Sequence, residues 1–185
     1  MENFESRIAD LEIALNTGMR QAEQYGLDWR DVNLQAKRIT LLNTKNGSVR
    51  HIPLNHVAWS AFQLLWEKSA GRGRVVISSN TDQPLLTPRY WWDAVVAEAK
   101  LADFHWHDLR HSFASRCIRA GVDLRTLQQL MGHKTLQMVV RYTHLSQSHE
   151  LAAVELLCKP DLGGTGTTTG TGSKQQGETK ELTAN

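Results

Sequence analysis

The dipeptide Asn46-Gly47 lies between two short strand-like runs, and this feature most restricts what the chain can fold into. Asn-Gly favours the positive φ angles of a tight hairpin turn. The flanking runs are "RITLLN" and "VRHIPL", and "VNL" precedes them as a third candidate strand. The sequence therefore predicts a small antiparallel sheet of two or three strands.

Helical periodicity dominates most of the remaining sequence. Phe4, Ile8, Leu11 and Leu15 recur at helical spacing, and Gly18 follows them as the expected stop. These positions predict an amphipathic helix at the start of the chain.

Capping residues mark the helices that follow the hairpin. Asn55 is the expected cap of a helix that ends at Gly71, and Thr87-Pro88 are the N-cap and first position of the next helix. The run "VVIS" between them is a strand or a buried loop. The last three helices are predicted at about 107–120 (ended by Gly121), 123–131 (ended by Gly132) and 132–144. The predicted fold class is α+β, a mostly helical domain with a small antiparallel sheet.

The composition changes near Lys159. The segment 159–185 is rich in glycine and threonine and almost free of large apolar residues, so it cannot bury a core. The sequence therefore predicts one folded domain over residues 1–158 and a flexible tail over 159–185.

Several classes of protein are disfavoured by what the sequence contains. No run of 18 apolar residues is present, and "MENFESRIAD" does not have the layout of a signal peptide, so a cytoplasmic location is expected. Cys117 and Cys158 fit no disulfide or zinc pattern and are interpreted as reduced packing residues. The net charge of +2 permits a nucleic-acid partner without requiring one.

Arg110 occupies an unusual position in the run "HWHDLRHSF". On the predicted helix it edges the apolar stripe that contains Leu109 and Cys117, so it needs a partner anion or a path to solvent. His107 and His111 form an i, i+4 pair that is able to bind a metal ion, but no third ligand follows at a recognised spacing. Metal binding is therefore the weaker interpretation of this pair.

Tyr142 lies in the run "GHKTLQMVVRYTH". Helical projection places it next to Met138 and away from the centre of the apolar face. Such a tyrosine is either an edge packer with a solvated hydroxyl or a group presented to a substrate, and the pattern alone leaves both open.

Other candidate residues are weak when taken singly. Arg20 and Glu23 form an i, i+3 pair of the kind common on surfaces, and Lys45 is a hairpin lysine of the kind usually solvated. Together with the histidines and Tyr142 they suit a phosphodiester substrate. Arginine forks match phosphate oxygens, lysine and histidine transfer protons, and tyrosine is a possible nucleophile.

Four segments taken in order carry a resemblance to a known family. "TGMRQAEQYGLDWRDV", "NTKNGSVRHIPL", "HDLRHSFAS" and "LMGHKTLQMVVRYTHLS" resemble the signature boxes of the tyrosine recombinase (phage integrase) catalytic domain. The resemblance covers about residues 8–146. All four boxes in this order and spacing are highly specific.

The resemblance implies six catalytic residues, which are Arg20, Lys45, His107, Arg110, His133 and Tyr142. The two arginines would clamp the scissile phosphate and stabilise the transition state. The lysine would protonate the leaving 5′-oxygen. His107 would accept a proton or donate to the phosphate, and His133 would hydrogen-bond the phosphate. The tyrosine would attack to form a 3′-phosphotyrosyl link.

The resemblance also implies how such a protein works. It would need no cofactor and no metal ion, and its partner would be double-stranded DNA, with no membrane involved. Within a full-length protein it would act as a homo-oligomer, a tetramer on DNA, with accessory DNA-bending proteins. Its expected place is the nucleoid of a prokaryotic host, where it would integrate or excise phage or mobile-element DNA. The alternatives are a non-cleaving DNA-binding regulator with the same fold and a histidine-based metal protein.

Some residues are expected to assist rather than react. Glu23 is expected to orient Arg20, while His111 and His144 are expected to be supporting or structural. The six tryptophans are expected in the core or on a partner surface. The chain has no room before its first box for the DNA-gripping domain typical of the family, so weak and salt-dependent DNA binding is expected. The run "QSHELAAVELLC" is a candidate for the helix that such proteins pass to a neighbouring subunit.

Overall fold

The small sheet predicted from the hairpin is present in the computed structural model, which describes residues 7–43, 48–78 and 81–142. Three antiparallel strands lie in the order β1-β2-β3. Ile39 and Ile52 face each other across β2 and β3 and are almost fully buried, so one face of the sheet packs on the core. Lys45 and Asn46-Gly47 lie outside the described residues.

The described residues include seven α-helices, three strands and the short 3₁₀ turn that precedes β1. Their bounds are α1 Ile8–Thr17, α2 Gln21–Tyr25, the 3₁₀ turn Trp29–Asp31, β1 Val32–Asn33, β2 Arg38–Asn43, β3 Ser48–Pro53, α3 His56–Ser69, α4 Arg89–Glu98, α5 Trp106–Arg119, α6 Leu124–Met131 and α7 Gln137–Val140. The mostly helical α+β class predicted from the sequence is confirmed.

The predicted helix ends agree closely with the structure where a cap is local. Gly18 takes the left-handed conformation after α1, with φ of 61°, and Gly132 does the same after α6, also with φ of 61°. The side chain of Asn55 accepts a hydrogen bond from the backbone N–H of Ala58 at 2.9 Å and begins α3. Short polar caps and glycine stops act within a few residues, so the sequence alone predicts them.

Two predicted helix bounds need correction, one open alternative is decided, and one helix was missed. The helix after Thr87 begins at Arg89, because Pro88 lies before the first helical residue and the Thr87 hydroxyl accepts from Arg89 N. The run "VVIS" is a buried loop, since Val75 and Val76 are buried outside any named strand. Helix α2 was not predicted. The helix predicted over 132–144 is reduced to α7, within the part of that range that is described.

Two apolar clusters form the core of the described residues. The larger one gathers α1, α3 and the inner face of the sheet around edge-to-face tryptophans, with ring centroids 5.1 Å apart for Trp92 and Trp106. The second joins α5, α6 and α7 through the residues Ala114, Ile118, Leu127, Met131, Val139 and Tyr142. The tryptophans buried in the larger cluster, which are Trp29, Trp91, Trp92 and Trp106, confirm their predicted core role.

No helix among the described residues combines the length and the apolar character needed to cross a bilayer. The predicted domain boundary near residue 158, the tail 159–185 and Cys158 lie outside the described residues and remain predictions. Cys117 is a half-buried free cysteine beside the second cluster, and burial raises the pKa of its thiol.

Gly18→Ala is expected to destabilise the fold by about 2–4 kcal/mol, because two costs combine. The backbone at Gly18 is left-handed, and an added Cβ would lie 2.3 Å from the ring of Phe113 on α5. Urea denaturation measures the change. Gly73→Ala is the matched control, since Gly73 has φ of +62° but no neighbouring atom within 4 Å of an added Cβ. Equal losses for the two variants would contradict the predicted clash.

Helix α1 carries a buried carboxylate, that of Asp10. The Asp10 side chain is enclosed by the Arg7 guanidinium at 3.4 Å and the Tyr25 hydroxyl at 3.5 Å. Burial raises the pKa of Asp10 to about 6, against the opposing influence of Arg7. The folded state therefore binds this proton more tightly than the unfolded chain does.

Asp10→Asn is expected to change how stability depends on pH. Because the folded pKa lies above the unfolded value, Asp10 stabilises the wild-type fold below about pH 4, and that contribution is lost as the pH rises to about 6. Asparagine does not titrate, so the unfolding free energy of the variant should improve relative to wild type by up to about 3 kcal/mol between pH 4 and pH 7. Denaturation curves at both pH values measure this, and a pH-independent difference would exclude it.

Candidate active site

The C-terminal end of α6 gathers three arginines from different parts of the chain. The last carbonyls of a helix have no partner within the helix. Here Arg50 donates to the Leu130 carbonyl at 3.4 Å, and Arg20 donates to the Gly132 carbonyl at 3.3 Å. Arg110 donates to the carbonyl of Met131. A helix C-terminus also carries partial negative charge, so it holds three cations close together without neutralising them.

Arg110 is fixed from two sides. It is only 3% exposed, and its guanidinium bridges the carbonyl of Gly18 at the end of α1 and the carbonyl of Met131 at the end of α6. The sequence predicted that this arginine needs an anion or a path to solvent, and the structure supplies two backbone carbonyls instead. Arginine has five N–H donors, so these two bonds leave three for a ligand.

One carboxylate orders two of these arginines. Glu23 accepts from the Arg20 side chain at 2.8 Å and from the Arg50 side chain at 2.6 Å. Burial raises the pKa of Glu23, but hydrogen bonds from Arg20 and the charge of Arg50 outweigh it, so the net pKa is lowered. The expected orientation of Arg20 by Glu23 is confirmed.

Arg50 is a site residue that sequence reasoning missed. It belongs to the strand "VRHIPL", where alternation shows only which face it occupies. Its side chain reaches α6 and lies so near Gly132 that a Cβ there would be 2.5 Å from the guanidinium. The sequence offered one indication of this role, a charged residue in the strand directly after the hairpin. It did not show that Arg50 contacts Glu23 and the end of α6.

His133 follows the glycine that ends α6. Burial, and then the charges of Arg110 and Arg20, lower the pKa of its imidazole to about 4, so the ring is neutral at neutral pH. Within the described residues, the buried Nδ1 atom of His133 has no hydrogen-bond partner. The same surroundings lower the pKa of Arg110 to about 10, mainly through burial and the charge of Arg20. Burial contributes most to both shifts, and the positive charge of neighbouring arginines adds to it.

Tyr142 lies two residues after the end of α7. It is 5% exposed and packs in the second apolar cluster. Burial raises the pKa of its phenol, while the charges of Arg141 and Arg110 act in the opposite direction. Of the two alternatives that the sequence left open, the edge packer with a solvated hydroxyl is wrong, because Tyr142 is buried. Helix α7 ends at Val140, so the helical projection does not extend to Tyr142.

The Tyr142 hydroxyl lies 2.7 Å from Nδ1 of His111. The His111 ring in turn contacts the His107 ring edge to face, with centroids 4.8 Å apart. Burial, then the charge of His111, lowers the pKa of His107. The contact to Tyr142 was not predicted for His111, since an i, i+4 histidine pair on a helix shows no long-range partner.

The structure therefore places the predicted site residues in two linked groups. Arg20, Arg110 and His133 lie around the end of α6, and His107 lies with His111 and Tyr142 along α5. Arg110, next to His111 in sequence, joins the two groups. The sixth predicted residue, Lys45, lies outside the described residues. Beside the first group is a groove of about 850 Å³ that is also lined by residues of β3 and α6.

Metal ligation gains no support from side-chain grouping. Within residues 7–43, 48–78 and 81–142, no three His, Cys, Asp or Glu side chains come together in a way that could hold a metal ion. The His107–His111 pair lies beside a tyrosine rather than beside a third ligand.

Solved structures define the class of this fold. The catalytic domain of bacteriophage HP1 integrase is similar with a TM-score of 0.62 and 29% identity, covering 80% of this chain and 79% of that one. The Tn1549 transposon integrase (residues 82–397), solved with circular intermediate DNA, has a TM-score of 0.68 at 24% identity, covering 85% and 61%. The fold is that of integrase and tyrosine recombinase catalytic domains.

Sequence comparison gives the family. Residues 2–149 match the profile of the phage integrase family. Tyrosine recombinase XerC of Pediococcus pentosaceus is 32% identical over 151 residues, covering 76% of this chain and 50% of the relative. The integrase of Salmonella phage P22 is 27% identical over 157 residues, covering 75% and 39%. The chain belongs to the phage integrase family, and it spans about half the length of the XerC relatives it matches.

Proposed function

We propose that this chain is the catalytic domain of a site-specific DNA recombinase that breaks and rejoins strands through a phosphotyrosyl intermediate. The observation that carries the proposal is the arginine cluster beside a buried tyrosine. Three guanidiniums lie around the end of α6, and Glu23 pairs with two of them, Arg20 and Arg50, while Arg110 bonds to backbone carbonyls, which leaves an excess of two positive charges. Such a pocket suits a phosphodiester and its more negative transition state.

The proposed roles follow the geometry. Arg20 and Arg110 bind the non-bridging phosphate oxygens with the donors that their structural bonds leave over. Neutral His133 donates a hydrogen bond to the same phosphate. Tyr142 attacks the phosphorus, and Lys45 protonates the leaving 5′-oxygen. His107 packs against His111 and contributes through that neighbour or through the phosphate.

Attack by Tyr142 requires its phenol to lose a proton, and the positive charges of Arg141 and Arg110 favour that loss. Tyrosine has an ordinary pKa of about 10, and burial raises that of Tyr142 further. A neighbouring proton acceptor and positive charge are therefore needed for attack at neutral pH. The bond energy is retained in the phosphotyrosyl link, so the proposed reaction uses no nucleotide cofactor and no metal ion.

The wider assembly is also part of the proposal. Within a full-length protein the domain acts on double-stranded DNA as a homo-oligomer, a tetramer on its site, with accessory DNA-bending proteins. Its place is the nucleoid of a prokaryotic cell. Support comes from the DNA complex of the Tn1549 integrase and from the family membership.

Covalent capture tests the function. The chain is incubated at low salt, in EDTA, with a randomised duplex library whose nicked strands release a short fragment on cleavage and so trap the product. A denaturing gel should show a protein–DNA adduct, and peptide mapping should locate the DNA on Tyr142. An absent adduct, or one that requires added metal ion, would overturn the proposal. Adduct yield should fall steeply as salt rises, because phosphate contacts dominate binding.

A further inference from the structure

The contact between α5 and Tyr142 distinguishes two histidines that are one helical turn apart. His107 and His111 both lie on α5, but Nδ1 of His111 is the atom found at 2.7 Å from the Tyr142 hydroxyl. The rings of His111 and Tyr142 are tilted by 45° relative to each other, with centroids 5.7 Å apart. A distance of 2.7 Å is typical of a hydrogen bond that involves a hydroxyl group. Nδ1 of His111 therefore lies within hydrogen-bond distance of the phenol, and it accepts the phenol proton when the ring is protonated at Nε2.

We propose that His111 is the catalytic proton acceptor for Tyr142, an inference that rests on the proposed function. The phenol donates to Nδ1, so Nε2 carries the proton of the neutral ring. As Oη forms its bond to phosphorus, the proton moves to Nδ1, the bond from phosphorus to the 5′-oxygen breaks, and the leaving oxygen takes a proton from Lys45. In rejoining, the 5′-hydroxyl attacks phosphorus and gives its proton back to Lys45, the bond from phosphorus to Oη breaks, and His111 returns the proton to Oη.

The surroundings of His111 fit this task. The side chain is half-buried on the wall of a shallow pocket that also contains Ser112, Ser115 and Arg116. His107 packs edge to face against the ring and holds it towards Tyr142. Its neighbour Arg110 is directed to the ends of α1 and α6 instead, because consecutive helical residues point about 100° apart. One turn of α5 thus supplies a phosphate ligand and a base.

The kinetic test uses His111→Asn on the duplex captured by wild-type protein. The amide keeps a polar atom near the position of Nδ1 but cannot accept the proton. Cleavage should slow by about 10²–10⁴-fold, the usual contribution of a general base. His56→Asn, at the exposed start of α3, is the matched control and should keep the wild-type rate. A His111→Asn variant that cleaves within about threefold of wild type would overturn the assignment.

A modified leaving group separates the base from the acid. A substrate with sulfur in place of the bridging 5′-oxygen leaves without protonation, so it should rescue Lys45→Ala. It should not rescue His111→Asn, whose defect is in the nucleophile. Recovery of His111→Asn on this substrate would mean that His111 serves the leaving group, which would overturn the proposal.

A DNA-independent measurement tests the contact itself. In ¹⁵N-labelled histidine spectra, the ring resonances lost in His111→Asn should show a neutral ring protonated at Nε2, and Tyr142→Phe should shift them. A ring protonated at Nδ1 would overturn the inference. If wild-type protein captures no DNA while the expected tautomer is seen, the proposed function fails and the contact stands, so the two failures are distinguishable.

Discussion

Tyr142→Phe should abolish covalent capture of DNA while leaving the chain folded. The substitution removes one hydroxyl, which lies 2.7 Å from Nδ1 of His111. Loss of that bond costs about 1 kcal/mol of stability, and the aromatic ring keeps its place in the second cluster. The nucleophile, in contrast, has no replacement, so no adduct should form. A denaturing gel of protein and nicked duplex measures this.

The control for this prediction uses another tyrosine. Tyr25→Phe removes a phenolic hydroxyl that lies 3.5 Å from Asp10, and this variant should form the adduct at the wild-type rate. Noncovalent binding of DNA by Tyr142→Phe, measured by gel shift at low salt, should match that of wild type. An adduct that persists in Tyr142→Phe would show that a different residue attacks.

Arg110→Ala should damage both stability and cleavage. The arginine is buried and bridges the carbonyls of Gly18 and Met131, so its removal leaves two acceptors without that partner. Each orphaned group costs about 1–3 kcal/mol. Cleavage should fall by at least about 10²-fold, the usual effect of removing one donor to a developing anion. Thermal denaturation and single-turnover adduct formation measure the two effects.

Arg110→Lys separates these two roles. Lysine keeps the charge but cannot bridge two carbonyls and a phosphate with one ammonium group. It should therefore regain part of the stability and little of the cleavage. Arg72→Ala, in the exposed loop after α3, is the control and should change neither quantity. Full cleavage by Arg110→Lys would show that charge alone suffices and that the fixed fork is unimportant.

The helix ends show how far local sequence patterns reach. Gly18, Asn55 and Gly132 were predicted as stops and caps and have these roles in the structure. Each acts through backbone geometry or hydrogen bonds within four residues, so its effect does not depend on the remainder of the chain. The hairpin strands were predicted on the same basis. The errors lie at Pro88 and after Val140, where a helical pattern in the sequence is longer than the helix that forms.

For the candidate site, too, the sequence predicted the family and the types of residue but not how they are arranged. The order of the four sequence boxes was sufficient to name the family, and family membership is confirmed. The boxes also proposed six reacting residues by type and spacing, and the described ones converge around the ends of α1 and α6 and along α5. The roles of all six remain predictions, and the position of Lys45 lies outside the described residues.

The sequence by itself determined the hairpin strands and most of the helices of this protein, its family and the kinds of side chain that its site offers. Only the tertiary structure decided that carbonyls hold Arg110, that Arg50 joins the arginine cluster, and that Tyr142 is buried against His111. The physical reason is distance along the chain. Spacing of three or four residues is written in local sequence, whereas the meeting of two helix ends 112 residues apart, as in the bond from Arg20 to Gly132, depends on how the whole core packs.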